Sequence, residues 1–160
     1  MKQTYEEVEQ TTNFSKQGAC CVAGDTLITM ADGRQIEIDR IRIGDYIFNS
    51  DFGAIHVVNT MRAWEEKLWN ITTNNVMDIK TTGNHPFMTR NGIKIACELT
   101  EEDELLLLDG AYSKVKSCVE EEYKNFVYNL CLGEEVLFFA NNYAIGDFEM
   151  QERMEWQRRG

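Results

Sequence analysis

Histidine and proline are almost missing from this 160-residue chain, which holds two of the first and one of the second. Two histidines and five cysteines, with no C-x-x-C pair and no H-x-x-x-H spacing, cannot assemble a recognisable zinc site, so no metal is expected. Long apolar runs are missing too: Leu105 to Leu108 is far too short to span a bilayer. The N-terminus places Glu6, Glu7 and Glu9 soon after Lys2, which is no signal peptide. These features point to a cytoplasmic protein, and an odd number of cysteines fits reduced thiols better than a disulfide framework. Positive charge is scarce, with 16 basic residues against 27 acidic ones for a net charge of -11. Such a field repels phosphate backbones and lipid headgroups, which argues against nucleic acid or a membrane surface as partner.

What is present is enough for one folded domain. The chain is 43% hydrophobic and 27% charged, the balance of an ordinary globular protein rather than a linker. Residues 1–20 read as a polar flank, with Thr4 placed to cap a short helix three residues before Glu7. From Cys21 the texture changes. Thr26 to Met30 is a β-branched run ending in Ala31-Asp32-Gly33, where Asp-Gly favours a hairpin turn. Further short runs follow at 35–38, 46–48, 56–61, 68–73, 76–81, 93–96, 105–108, 112–119, 126–132 and 136–140. Many short strands separated by turn residues predict an all-β, barrel-like or twisted-sheet domain. The acidic runs 101–104 and 120–122 read as solvated turns or edges. Beyond Asp147 the residues favour a short C-terminal helix over 148–160. The two flanks are nearly neutral, so residues 21–147 carry -10 of the net charge.

A faint repeat runs through the middle. Asp32-Gly33 is followed by Ile41-x-x-Gly44-Asp45-x-Ile47, and Asn91-Gly92 by Leu99-x-x-Glu102-Asp103-x-Leu105. The two copies differ by one residue in spacing, which suggests a duplicated half-domain with approximate twofold symmetry.

Three separated blocks carry the chemistry. The first is Cys21-Val22-Ala23-Gly24-Asp25-Thr26-Leu27-Ile28 with Ala31-Asp32-Gly33 and Ile41-x-x-Gly44-Asp45 behind it. The second is Thr82-Gly83-Asn84-His85-Pro86-Phe87, and the third is Val127-Tyr128-Asn129-Leu130 with Phe139-Ala140-Asn141-Asn142 and Ala144-Ile145-Gly146-Asp147. In order and spacing they resemble the Hint superfamily of inteins, bacterial intein-like domains and hedgehog autoprocessing domains. The resemblance spans residues 21–147 and implies a compact, horseshoe-like, pseudo-twofold Hint fold without an endonuclease insertion. It implies an autocatalytic, single-turnover domain whose substrate is its own flanking polypeptide, with no cofactor. No cholesterol-recognition region is present, which sets the hedgehog variant aside.

The resemblance assigns roles residue by residue. Cys21 would attack the carbonyl of Cys20, turning an amide into a thioester by N-to-S acyl shift. His85 would donate a proton to the leaving nitrogen, and Thr82 would hydrogen-bond the developing oxyanion. Water, a thiol or an amine would then take the acyl group. Counting C-x-x-G-D-T-L from Cys21 rather than Cys20 keeps the register. The C-terminal junction departs from the pattern. Inteins usually end in His-Asn before Cys, Ser or Thr; here Gly146, Asp147 and Phe148 stand there, Val136 replaces another customary histidine, and Asn129 replaces an aspartate. Phe148 offers no nucleophile, so full protein splicing is not expected, while Asp147 retains a route to slow cleavage through an anhydride. The alternative is a Hint fold kept as a structural or protein-interaction module. Cys97, Cys118 and Cys131 fall in no block and read as packing residues.

Overall fold

A computed structural model of the chain describes residues 21–74 and 76–159. The N-terminal flank, Thr4 and Cys20 included, lies outside the described residues. Thirteen strands are described: β1 Val22–Ala23, β2 Leu27–Thr29, β3 Gln35–Glu37, β4 Tyr46–Asn49, β5 Gly53–His56, β6 Asn59–Thr73, β7 Ile79–Thr81, β8 Pro86–Thr89, β9 Gly92–Ile95, β10 Glu104–Leu106, β11 Tyr112–Cys131, β12 Leu137–Ala140 and β13 Tyr143–Gly146. One helix, α1, runs Phe148–Arg159. The described residues are all-β apart from that helix and two short 3₁₀ turns.

The strands follow the order β1-β7-β6-β11-β10-β8-β13-β12-β2-β3, with β9 beside β8; β4 and β5 form a separate two-stranded sheet, joined to the chain after β2 by a bridge between Ile47 and Met30. Strand β1 also pairs with β11, so β1, β7, β6 and β11 close into a four-strand circuit. Val22 lies between Tyr128 on one side and Thr81 on the other. That circuit brings the first block against the second and third, which are distant in sequence.

The predicted repeat is visible as matched elements. The hairpin β2–β3 is followed by a 3₁₀ turn Ile38–Arg40 and then β4; the hairpin β8–β9 is followed by a 3₁₀ turn Ala96–Glu98 and then β10. The same side-chain device closes the turn beyond each 3₁₀ segment. Asp45 Oδ2 accepts from the Arg42 amide at 2.9 Å, and Asp103 Oδ2 from the Thr100 amide at 2.8 Å. An aspartate accepting backbone N–H three residues earlier fixes a turn that the backbone alone leaves unsatisfied.

Two sequence expectations are corrected. The runs 112–119 and 126–132 are one strand of twenty residues, and Glu120, Glu121 and Glu122 sit inside it, opposite Trp69, Leu68 and Lys67. They are solvated strand residues rather than a turn. Likewise 68–73 is only the end of β6, whose 59–66 half carries alternating charge and aromatic residues that hide its extended pairing with β11. A main core of buried aliphatic and aromatic side chains, with Phe87, Phe138 and Tyr143 among the largest, fills the body. A smaller cluster gathers Cys21, Ala23, Ala63, Leu68 and Val127.

Candidate active site

The three blocks meet at Cys21. This residue immediately precedes β1 and is 2% exposed. Two hydrogen bonds join it to Thr82: the Cys21 amide donates to Thr82 Oγ1 at 2.9 Å, and the Thr82 amide donates to the Cys21 carbonyl at 2.9 Å. Thr82 follows β7, and a tight turn runs from it to His85, closed by the His85 amide donating to the Thr82 carbonyl at 3.3 Å. Glycine is required inside that turn, because a Cβ on Gly83 would lie 3.0 Å from Trp69 Nε1 and 3.2 Å from Cys97 Cβ. The Thr82 hydroxyl donates its own proton to Asn84 Oδ1 at 2.9 Å. Its lone pair is thereby turned toward the Cys21 N–H. The expected oxyanion donor is therefore occupied in this state as an acceptor for the amide at the junction. Asn84, which orients it, was not singled out from sequence, although it stands inside the second block.

His85 is fully buried, and its Nε2 lies 3.0 Å from the Gly146 carbonyl. A carbonyl can only accept, so Nε2 carries the hydrogen of this bond. Burial pulls the imidazole down to about 4, against weaker opposing contacts with the backbone of Gly146 and of Cys21. One histidine thus touches the backbone at both ends of the domain. Burial also pushes the Cys21 thiol far up, with the negative charge of Glu65 adding to the shift. At neutral pH the site therefore holds a thiol and an imidazole, both uncharged. The ring is neutral at rest, so a proton given to the leaving nitrogen would first have to reach it.

Asp147 follows β13 and caps α1. Its Oδ1 accepts from the Met150 amide at 3.0 Å and from Val136 at 3.4 Å, its Oδ2 accepts from Leu132 at 3.3 Å, and its carbonyl accepts from Gln151 at 3.1 Å. An aspartate at this position satisfies the orphan donors of the first helical turn. Burial nevertheless outweighs these bonds and raises its carboxyl to about 6. Gly146 has no room for a side chain: a Cβ there would stand 2.6 Å from Met150 Sδ and 3.1 Å from Pro86 Cβ. Val136 is buried; its carbonyl accepts from the Asp147 amide at 3.2 Å, and its amide donates to the Asp147 carboxylate. Asn129 is buried with its Oδ1 on the Leu130 amide at 2.8 Å. Neither of the places where inteins carry histidine supplies a titratable group here.

Cys131 lies next to the same junction, its thiol donating to Glu149 Oε2 at 3.3 Å, and burial pushes it up to about 11. Among the described residues no group of three or more His, Cys, Asp or Glu side chains is placed to hold a metal ion. No described helix is long and apolar enough to cross a membrane.

No protein-family profile matches the chain. Among curated proteins it is 29% identical over 140 residues to the replication factor C small subunit of Methanocaldococcus jannaschii, covering 77% of this chain and 8% of that protein. It is 33% identical over 94 residues to the replicative DNA helicase DnaB of Rhodothermus marinus, covering 54% of this chain and 10% of the helicase. The chain thus spans a tenth or less of the length of these relatives. Solved structures match along nearly their whole length. A DnaB intein from Synechocystis sp. PCC 6803 superposes with a TM-score of 0.70 at 21% identity, covering 81% of this chain and 99% of the intein. The Ssp DnaB mini-intein variant M86 gives 0.72 at 20% identity, over 81% and 94%. A bacterial intein-like domain from Clostridium thermocellum gives 0.68 at 26% identity, over 80% and 97%. The chain has the Hint fold of inteins and intein-like domains.

Proposed function

We propose that this Hint-fold chain is an intein-like autoprocessing domain that cleaves its own backbone before Cys21 through a thioester and does not splice. The observation that carries the reading is the paired bonding of Cys21 to Thr82 beside a buried His85, which fixes the amide nitrogen of the junction within the second block. Cys21 Sγ attacks the carbonyl carbon of residue 20, the C–S bond forms as the C–N bond breaks, and the sulfur's proton ends on the Cys21 nitrogen as a free amine. Neither group is charged at rest, so His85 acts as a relay, taking the thiol proton onto its ring and returning it to nitrogen. An imidazolium in a dry pocket is a strong acid, which suits the second transfer and makes the first one slow. Thr82 keeps hold of the N–H while the planar amide becomes an amine. A thiol, water or an amine then takes the acyl group. The substrate is the flanking polypeptide of the same chain. Similarity to short stretches of differently named, much longer proteins supports a module lodged within longer polypeptides.

The C-terminal junction is inert in this reading. Attack of the Asp147 carboxyl on its own carbonyl would require it to leave the backbone amides of Leu132, Val136 and Met150 and unwind the start of α1.

Incubating the purified chain with and without dithiothreitol, followed by mass spectrometry, tests the proposal. A fragment beginning at Cys21 should appear with thiol, vanish in Cys21→Ala, persist in Cys20→Ala and form roughly 10²–10⁴-fold more slowly in His85→Ala. An intact chain after long incubation at several pH values would instead favour a fold retained for structure or interaction.

A further inference from the structure

Cys97 and Cys118 are unused by the chemistry above, and the fold places them side by side. Cys118 lies on β11, its thiol donating to the Ala96 carbonyl at 3.3 Å. A peptide oxygen stands about 3 Å from the next Cα, so Cys118 Sγ is within roughly 6 Å of the Cys97 Cα. Cys97 sits in the 3₁₀ turn Ala96–Glu98 and is exposed. The two thiols also sense each other, since charge on Cys97 adds to burial in pushing Cys118 up to about 11. Bridged cysteines have Cα separations of roughly 4.4–6.8 Å, so closure requires the exposed turn to bring Cys97 within that span of Cys118.

We propose that Cys97 and Cys118 are a thiol pair that closes to a disulfide, tying the 3₁₀ turn after β9 to the long strand β11. A small disulfide such as oxidised glutathione supplies the oxidising equivalents. The Cys97 thiolate attacks one of its sulfurs, forming a mixed disulfide and releasing one glutathione. The Cys118 thiolate then attacks the Cys97 sulfur and releases the second. Two protein thiols are oxidised to one S–S bond, one glutathione disulfide is reduced to two thiols, and the two protons lost by the protein thiols end on the released glutathione sulfurs. The half-buried, weakly acidic Cys118 makes the second step the slow one, so closure accelerates as pH rises from 7 to 9.

The bond would be felt at the second block. The Cys97 amide donates to the Gly83 carbonyl at 2.8 Å, and the Ala96 amide to the His85 carbonyl at 2.9 Å. Oxidation therefore stiffens the support of the Thr82–His85 turn. This pairing does not depend on any cleavage at Cys21.

The native chain is treated with oxidised glutathione, digested with an acid-active protease to prevent exchange, and mapped by mass spectrometry. The expected product is one cross-linked pair of peptides holding Cys97 and Cys118, two hydrogens lighter than the reduced pair. It should be absent in Cys97→Ser and reverse with reductant, and the oxidised protein should melt several degrees higher than the reduced one. Cys97 carrying only a glutathione adduct, or pairing instead with Cys20, Cys21 or Cys131, would overturn the proposal.

Discussion

Thr82 offers one hydroxyl proton and two lone pairs, and the site engages one of each. The proton goes to Asn84 and a lone pair receives the Cys21 N–H. Thr82→Val keeps the shape and removes both, leaving a buried amide donor unsatisfied at about 1–3 kcal/mol. Cleavage should slow by about 10- to 100-fold in that variant and recover in Thr82→Ser; a Thr82→Val chain that cleaves at the native rate removes the hydroxyl from the mechanism. His85 predicts a pH profile. With the thiol protonated and the imidazole at about 4, cleavage should be flat from about pH 6 to 9 and fall as pH drops towards 4. A rate climbing tenfold per pH unit to pH 9 would instead mean attack by pre-formed thiolate. The spacing of Cys21, Thr82 and His85 was legible in the sequence because the motifs are short and ordered. The direction of the Thr82 bonds was not, since a hydroxyl's role depends on which neighbour the fold turns towards it. Nor was the neutrality of His85, which follows from burial by residues outside its block.

At the scale of elements, α1 decides the fate of the C-terminal junction. Its first turn is capped by Asp147 and pinned by buried Met150 and Gln151, whereas Trp156 stands in solvent. Helix-forming composition made α1 legible, yet nothing in the sequence said that Met150 of its first turn would fill the space beside Gly146. Gly146→Ala should therefore destabilise the protein by about 1–3 kcal/mol, the usual effect of overpacking. Combining it with Met150→Ala should cost clearly less than the sum of the two single changes. Simple additivity in denaturant unfolding would show that Met150 does not occupy that space. Gly146→His should accordingly fail to restore C-terminal cleavage. The long strands β6 and β11 were read only in fragments, because Glu120 to Glu122 and Glu65 to Lys67 carry charge on solvated faces where an apolar pattern is lost. The hairpin β2–β3 was read well, because Gly33 adopts positive φ at a turn the sequence marks plainly, whereas β8, which begins at Pro86 inside the second block, was not read as a strand.

Across the whole molecule, two buried titratable groups pull stability in opposite directions. His85 has a folded pKa of about 4 against a usual 6.5, so its contribution is complete above about pH 6.5 and is lost as pH falls towards 4. Asp147 has a folded pKa of about 6 against a usual 3.8, so its contribution is complete below about pH 4 and is lost as pH rises through 6. Each is worth on the order of 3 kcal/mol and they largely cancel between pH 4 and 6. The melting temperature of the native chain should be nearly level over that window, fall with rising pH in His85→Gln and rise with it in Asp147→Asn. Parallel curves for all three proteins would contradict these assignments. The Hint architecture itself was legible from three blocks in order, since their convergence needs only that β1 lie between β7 and β11. The most direct test of the central claim is the mass of the N-terminal product when the unaltered chain meets dithiothreitol. The account predicts a released peptide of residues 1–20 carrying the thiol as a thioester, with its partner beginning at Cys21. A peptide ending in a free acid with no thiol adduct at any time point, or a cut elsewhere, would contradict it.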